Sequence, residues 1–118
     1  MKLPGPDHPI TIEPFAGRVV VRFKDTVVAA TDRALVLKEA TYKPVFYIPR
    51  SDARWSHFAP SERHTHCPYK GDASYFHLDT DGGRSENAVW SYESPFPAMA
   101  AIEKHIAFYP HQVDISTG

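Results

Sequence analysis

The chain has 118 residues, 42% of them apolar and 23% charged, enough to bury roughly 65% of the unfolded surface around one core. Thirteen basic against fourteen acidic side chains leave no bulk field to hold nucleic acid or a lipid surface. A single cysteine excludes an internal disulfide, and no apolar run approaches the ~20 residues of a membrane span. The opening Met1-Lys2-Leu3-Pro4-Gly5-Pro6 lacks the apolar segment of a signal peptide, so the expected setting is a reducing cytoplasm.

Residues 1–9 hold three prolines and a glycine and read as an extended arm, ahead of a single domain over 10–118. The first clear strand is 18–24, where Val19, Val21 and Phe23 share a face opposite Arg18, Arg22 and Lys24. Lys24-Asp25 is a tight turn, and 26–30 returns as the hairpin partner. The run 34–39 suits a third strand or a short helix, and its length favours the strand. Val45-Phe46-Tyr47-Ile48 is a dense cluster of β-formers ended by Pro49.

Asp52 stands where an N-cap would, and Trp55 and Phe58 lie three apart, so a short helical turn is expected near 52–58 with that pair packed inward. A loop starting at Pro60-Ser61-Glu62 leads to Thr65-His66-Cys67-Pro68-Tyr69-Lys70-Gly71-Asp72. Residues 74–78 then form a strand in which Tyr75 and His77 face one way. Asp79-Thr80-Asp81-Gly82-Gly83 turns the chain, and 88–92 pairs back. The best helix is expected over about 97–105, with Pro97 at its first position and Met99, Ile102 and Ile106 on one face. Residues 107–109 and 112–115 close the chain as strands. The fold class is therefore mainly β and antiparallel, with one short C-terminal helix.

Four phrases in order carry a family resemblance: Tyr47-Ile48-Pro49-Arg50-Ser51-Asp52, Thr65 through Tyr75, Asn87-Ala88-Val89-Trp90-Ser91-Tyr92-Glu93-Ser94-Pro95, and Ile106-Ala107-Phe108-Tyr109. Together they resemble the small bacterial proteins catalogued as domain of unknown function 427, also labelled nucleotidyltransferase-like. The resemblance implies a β-tent-like pair of sheets, similar to methionine sulfoxide reductase B and the drug-binding domain of cereblon, and it brings no function. β-tent relatives hold a structural zinc with two Cys-x-x-Cys pairs, which one cysteine cannot supply. The transferase label has little behind it: Asp79-Thr80-Asp81 is followed at once by Gly82-Gly83 and reads as a hairpin tip.

Three constellations bear on chemistry. Cys67, with His66 beside it and Lys70 three residues on, offers a thiol whose pKa neighbouring cations would lower, as hydrolysis, transfer or thiol chemistry requires. Against it stands burial as a small apolar side chain, a common fate of free cysteine. His64, His66, Cys67, His57 and His77 are nitrogen and sulfur ligands at no standard zinc spacing, so no metal or other cofactor is expected. Tyr47, Tyr75, Trp90 and Tyr92, with Glu39, Arg54, Lys70 and Asp72 as polar groups, have the makings of a small-ligand pocket. The leading expectation is a cytoplasmic β domain that binds a small polar or heterocyclic molecule in a pocket formed by residues 65–77 and Trp90. Its alternatives are an enzyme using Cys67, His66 and Lys70, and a protein-interaction module without a small ligand.

Overall fold

Ten strands dominate the computed structural model, which describes residues 1–118. In chain order they are β1 (Ile10–Pro14), β2 (Val19–Phe23), β3 (Thr26–Thr31), β4 (Leu35–Glu39), β5 (Val45–Pro49), β6 (Phe58–Cys67), β7 (Gly71–Thr80), β8 (Gly83–Tyr92), β9 (His105–Phe108) and β10 (Asp114–Thr117). Every pairing is antiparallel. Seven strands form one sheet in the order β1-β4-β5-β9-β8-β7-β6, and three form a second in the order β10-β2-β3. The protein is mainly β, as the spacing of its β-branched and aromatic residues requires.

The β2–β3 hairpin follows from its turn. Lys24 and Asp25 both adopt positive φ, 47° and 69°, which matches the twist of the flanking strands and pairs Phe23 with Thr26. Alternation along β2 then buries Val19, Val21 and Phe23. These side chains, with Val28 from β3, pack against Ile48, Leu78, Val89, Ile106 and Phe108 from the large sheet. The result is a dry core between the two sheets.

The opposite face of the large sheet carries a second cluster, in which Leu37, Tyr47, Ala73, Tyr75, Tyr92 and Ala107 are buried. Strand register fixes its layout. Tyr75 lies directly across from Trp90, Ala73 from Tyr92, and Trp90 from Ala107.

Several local expectations are corrected. No α-helix spans 97–105; a 3₁₀ segment occupies Pro97–Ile102 and is kinked at Met99 (φ −111°, ψ 18°). Three residues per turn aligns i with i+3, and this suits a segment that must bury only Met99 and Ile102. The turn near 52–58 is two 3₁₀ pieces, Arg50–Asp52 and Trp55–His57, and Asp52 caps neither. Its carboxylate instead accepts a 2.6 Å hydrogen bond from Thr31 Oγ1.

Trp55 meets Phe58 at a tilt and Phe76 edge to face but keeps 38% of its surface exposed. Residues 60–62 are no loop; they belong to β6, which runs through an irregular register between Pro60 and His64. A bulge between Phe76 and Leu78 takes His77 out of alternation, and its Nδ1 accepts the Asn87 N–H at 3.0 Å. The first nine residues are tied down: Lys2 N donates to Pro68 O at 2.7 Å, and Ala40 N donates to Pro9 O at 2.8 Å.

Candidate functional site

A cavity of about 250 Å³ opens on the second face of the large sheet, slightly below the usual range of about 300–1,000 Å³ for small-ligand sites. Side chains from seven segments line it because alternate positions on neighbouring strands point the same way. Leu37 and Glu39 come from β4, Tyr42 and Lys43 from the β4–β5 connection, and Val45 and Tyr47 from β5. Tyr75 comes from β7, Trp90 and Tyr92 from β8, and Tyr109 directly follows β9. Ala107, opposite Trp90, carries only a methyl group. Across it Trp90 Nε1 donates to Tyr47 Oη at 3.1 Å, with the two rings edge to face. Trp90 also meets Tyr109, with centroids 4.6 Å apart.

Lys70 reaches the cavity from the turn between β6 and β7. Gly71 takes φ +113°, a conformation open to glycine and strained for other residues. Lys70 O accepts the Phe96 N–H at 3.0 Å. The Lys70 ammonium is 8% exposed as a residue and hydrogen bonds to Glu39 Oε1. An ammonium this deep requires such a partner, because an unpaired buried charge is strongly destabilising.

His8 Nε2 meets the other oxygen, Glu39 Oε2, at 2.7 Å, while the His8 ring lies flat on Tyr69 at 4.1 Å. Burial pushes the Glu39 carboxyl up, but hydrogen bonds from Lys70 and His8, with their charges, outweigh it and hold the pKa below the usual carboxylate value.

The phenols divide into two groups. Burial drives the Tyr47 and Tyr92 hydroxyls well above the ordinary tyrosine range. Tyr75 moves the other way. Burial raises it, yet hydrogen bonds with Thr65 (2.9 Å), Tyr109 (3.5 Å) and Arg63, and the Arg63 guanidinium 5.0 Å over its ring, bring it below the ordinary value. Burial and the Tyr75 hydroxyl push Tyr109 up to about 12.

Of the side chains singled out from the sequence, Glu39, Tyr47, Lys70, Tyr75, Trp90 and Tyr92 converge on this cavity. Arg54 does not; it sits exposed between the two 3₁₀ pieces, its backbone N–H on Val28 O at 2.8 Å. Asp72 and His66 form an exposed pair, Nδ1 to Oδ1 at 2.7 Å.

As neighbours in β6, His66 and Cys67 point to opposite faces, so His66 is not placed as a base for the thiol. Cys67 is half-buried beside Lys70, with Sγ 3.7 Å from Lys70 Nζ. No three His, Cys, Asp or Glu side chains converge in a way that holds a metal ion.

Sequence reasoning missed Leu37, Tyr42, Lys43, Val45, Tyr109 and His8. The even spacing of Val45 with Tyr47 was a usable signal for one of them. The long-range approach of His8 to Glu39 had none.

Fold and site define a small two-sheet antiparallel β protein with an aromatic hollow floored by a lysine–glutamate pair. The chain belongs to the family described as domain of unknown function (DUF427), whose model matches residues 11–118. No curated protein matches it. No helix is long and apolar enough to cross a membrane.

Proposed function

We propose that the protein binds a small, ring-bearing molecule in the cavity between Tyr47, Tyr75, Trp90 and Tyr92. What supports this most is the wall and the floor together. Aromatic side chains with polar tips surround an accessible hollow, and a buried Lys70–Glu39 pair sits at its base. Such a lining gives apolar contact area and a few orienting polar groups, the usual form of a small-ligand site. A cytoplasmic setting fits the lone reduced thiol.

The test is a thermal-shift screen of aromatic and heterocyclic metabolites, with tryptophan fluorescence, read against Trp90→Ala to separate Trp90 from Trp55, as a second readout. A ligand at one hundred times its Kd should stabilise the protein by about 2.7 kcal/mol. The same ligand should lose that effect in Trp90→Ala, and the reading fails if hits stabilise wild type and variant equally.

A second reading, thiol chemistry at Cys67, draws on the 3.7 Å approach of Lys70 Nζ to its sulfur. It predicts alkylation of Cys67 by iodoacetamide faster than that of a free thiol, and slower in Lys70→Met. Alkylation no faster than a model thiol rules it out.

A further inference from the structure

The floor of the cavity is unbalanced in a specific way: it carries hydrogen-bond donors without matching acceptors. Tyr92 is 7% exposed, lines the hollow, and makes no hydrogen bond to another residue; burial and neighbouring charges alone perturb its hydroxyl. Tyr47 is 1% exposed and its oxygen is used as an acceptor by Trp90 Nε1, leaving its own proton without a protein acceptor. Lys70 has three N–H groups, of which one goes to Glu39 and one to Cys67. The only sealed side-chain polar atom lacking a partner is Arg50 Nε, so the Tyr92 hydroxyl keeps access to the cavity. A donor that opens on the cavity and has no acceptor on the protein is available to a molecule that enters it.

We infer that the deep end of the cavity recognises an uncharged acceptor oxygen carried on a planar aromatic ring, as in an aryl ketone, ester or amide. This rests on the proposed binding role of the cavity and names the ligand class. The ring follows from the walls, where Trp90, Tyr109 and Tyr47 offer faces and edges. The neutrality follows from charge. Glu39 already balances Lys70 at the floor, and His8 occupies the remaining carboxylate oxygen. Lys43 is exposed at the rim. A ligand carboxylate at the floor would therefore bring a second negative charge beside Glu39, with Lys70 already paired and Lys43 out at the rim. A neutral carbonyl takes the same donors without that repulsion.

The experiment uses the full chain and three matched probes: acetophenone, ethylbenzene and benzoate. Binding is followed by protein-observed NMR and by Trp fluorescence, in wild type and in Tyr92→Phe. The expected result is that acetophenone binds about three- to tenfold more tightly than ethylbenzene, and more tightly than benzoate, with the ketone's advantage reduced severalfold in Y92F. Y92F removes a hydroxyl that bonds to nothing in the protein, so it should fold normally.

Benzoate binding best of the three overturns the claim of neutrality. Ketone and hydrocarbon binding equally in wild type overturns the acceptor claim while leaving the cavity's binding role intact. Failure of all three to perturb cavity resonances, up to their solubility limits, overturns this inference. The metabolite screen above then decides the binding role separately.

Discussion

The two faces of the large sheet are built from the same strands and are buried to similar depths, yet they differ in kind. Toward the small sheet, Val19, Val21, Val28, Ile48, Val89 and Ile106 close completely over one another. Toward the other side, Tyr47, Tyr75 and Tyr92 are almost as deeply buried but bring hydroxyl groups with them. Aliphatic side chains interdigitate to the density of a crystal. Phenols hinged on β5, β7 and β8 around a small Ala107 cannot, because each polar tip must point to a partner or to open space. One face thus holds the molecule together, and the other keeps a hollow.

The sharpest way to break this contrast is at Lys70. On the cavity face stability depends on pairing, so Lys70→Met alone should cost up to about 3–5 kcal/mol by leaving Glu39 with His8 as its one remaining partner. The double variant Glu39→Leu/Lys70→Met should recover most of that loss in urea unfolding. If the double variant is no better than the single, the pair is not what holds this corner. On the dry face stability depends on volume. Ile106→Ala should cost about 2–5 kcal/mol with no second-site recovery of this sort.

The dry face was legible from the sequence because its physics is local. Alternation along Val19–Phe23, the two-residue turn at Lys24-Asp25 and the β-formers of Val45–Pro49 each specify a strand and its buried side. The C-terminal helix misled because Pro97 and the alanines carry real helix propensity, while only two side chains there need burial and a 3₁₀ segment suffices.

At the site, Glu39, Tyr47, Lys70, Tyr75, Trp90 and Tyr92 were visible as polar or aromatic groups on strands and turns. Which face each one served depended on long-range pairing. His66 illustrates the limit: one step along β6 from Cys67, it turns to solvent with Asp72. His8 illustrates the converse, since a proline-rich arm gives no periodicity by which its stack on Tyr69 could be foreseen.

A smaller effect separates the faces by pH. The Glu39 carboxyl titrates below its ordinary value in the folded protein. The unfolded chain therefore binds the proton first as pH falls, and stability drops. Glu39's contribution is complete above the ordinary carboxylate pKa of 4.5 and is lost as pH falls through the lowered folded value. In urea titrations from pH 7 to pH 3, wild type should lose stability more steeply than Glu39→Gln. Ile106→Ala should keep the wild-type slope, because nothing it touches titrates there. Parallel slopes for wild type and Glu39→Gln would remove the carboxylate from the account.

The smallest effect is the most discriminating. Tyr92→Phe deletes a hydroxyl that has no partner in the protein, so no hydrogen bond is lost and the ring still fills its place among Met99, Ile102 and Ala73. Its unfolding free energy should stay within about 0.5 kcal/mol of wild type, as for substitutions that break no named interaction. Trp90→Phe is the natural comparison. It removes the donor on Tyr47 and a wall of the hollow together, and should cost about 1–3 kcal/mol. A neutral Tyr92→Phe beside a costly Trp90→Phe means that the Tyr92 oxygen does nothing for folding. Under the proposed binding role, that hydroxyl is then free to serve a molecule in the cavity. If Tyr92→Phe proves as costly as Trp90→Phe, its hydroxyl has a structural partner and the donor surplus at the floor disappears.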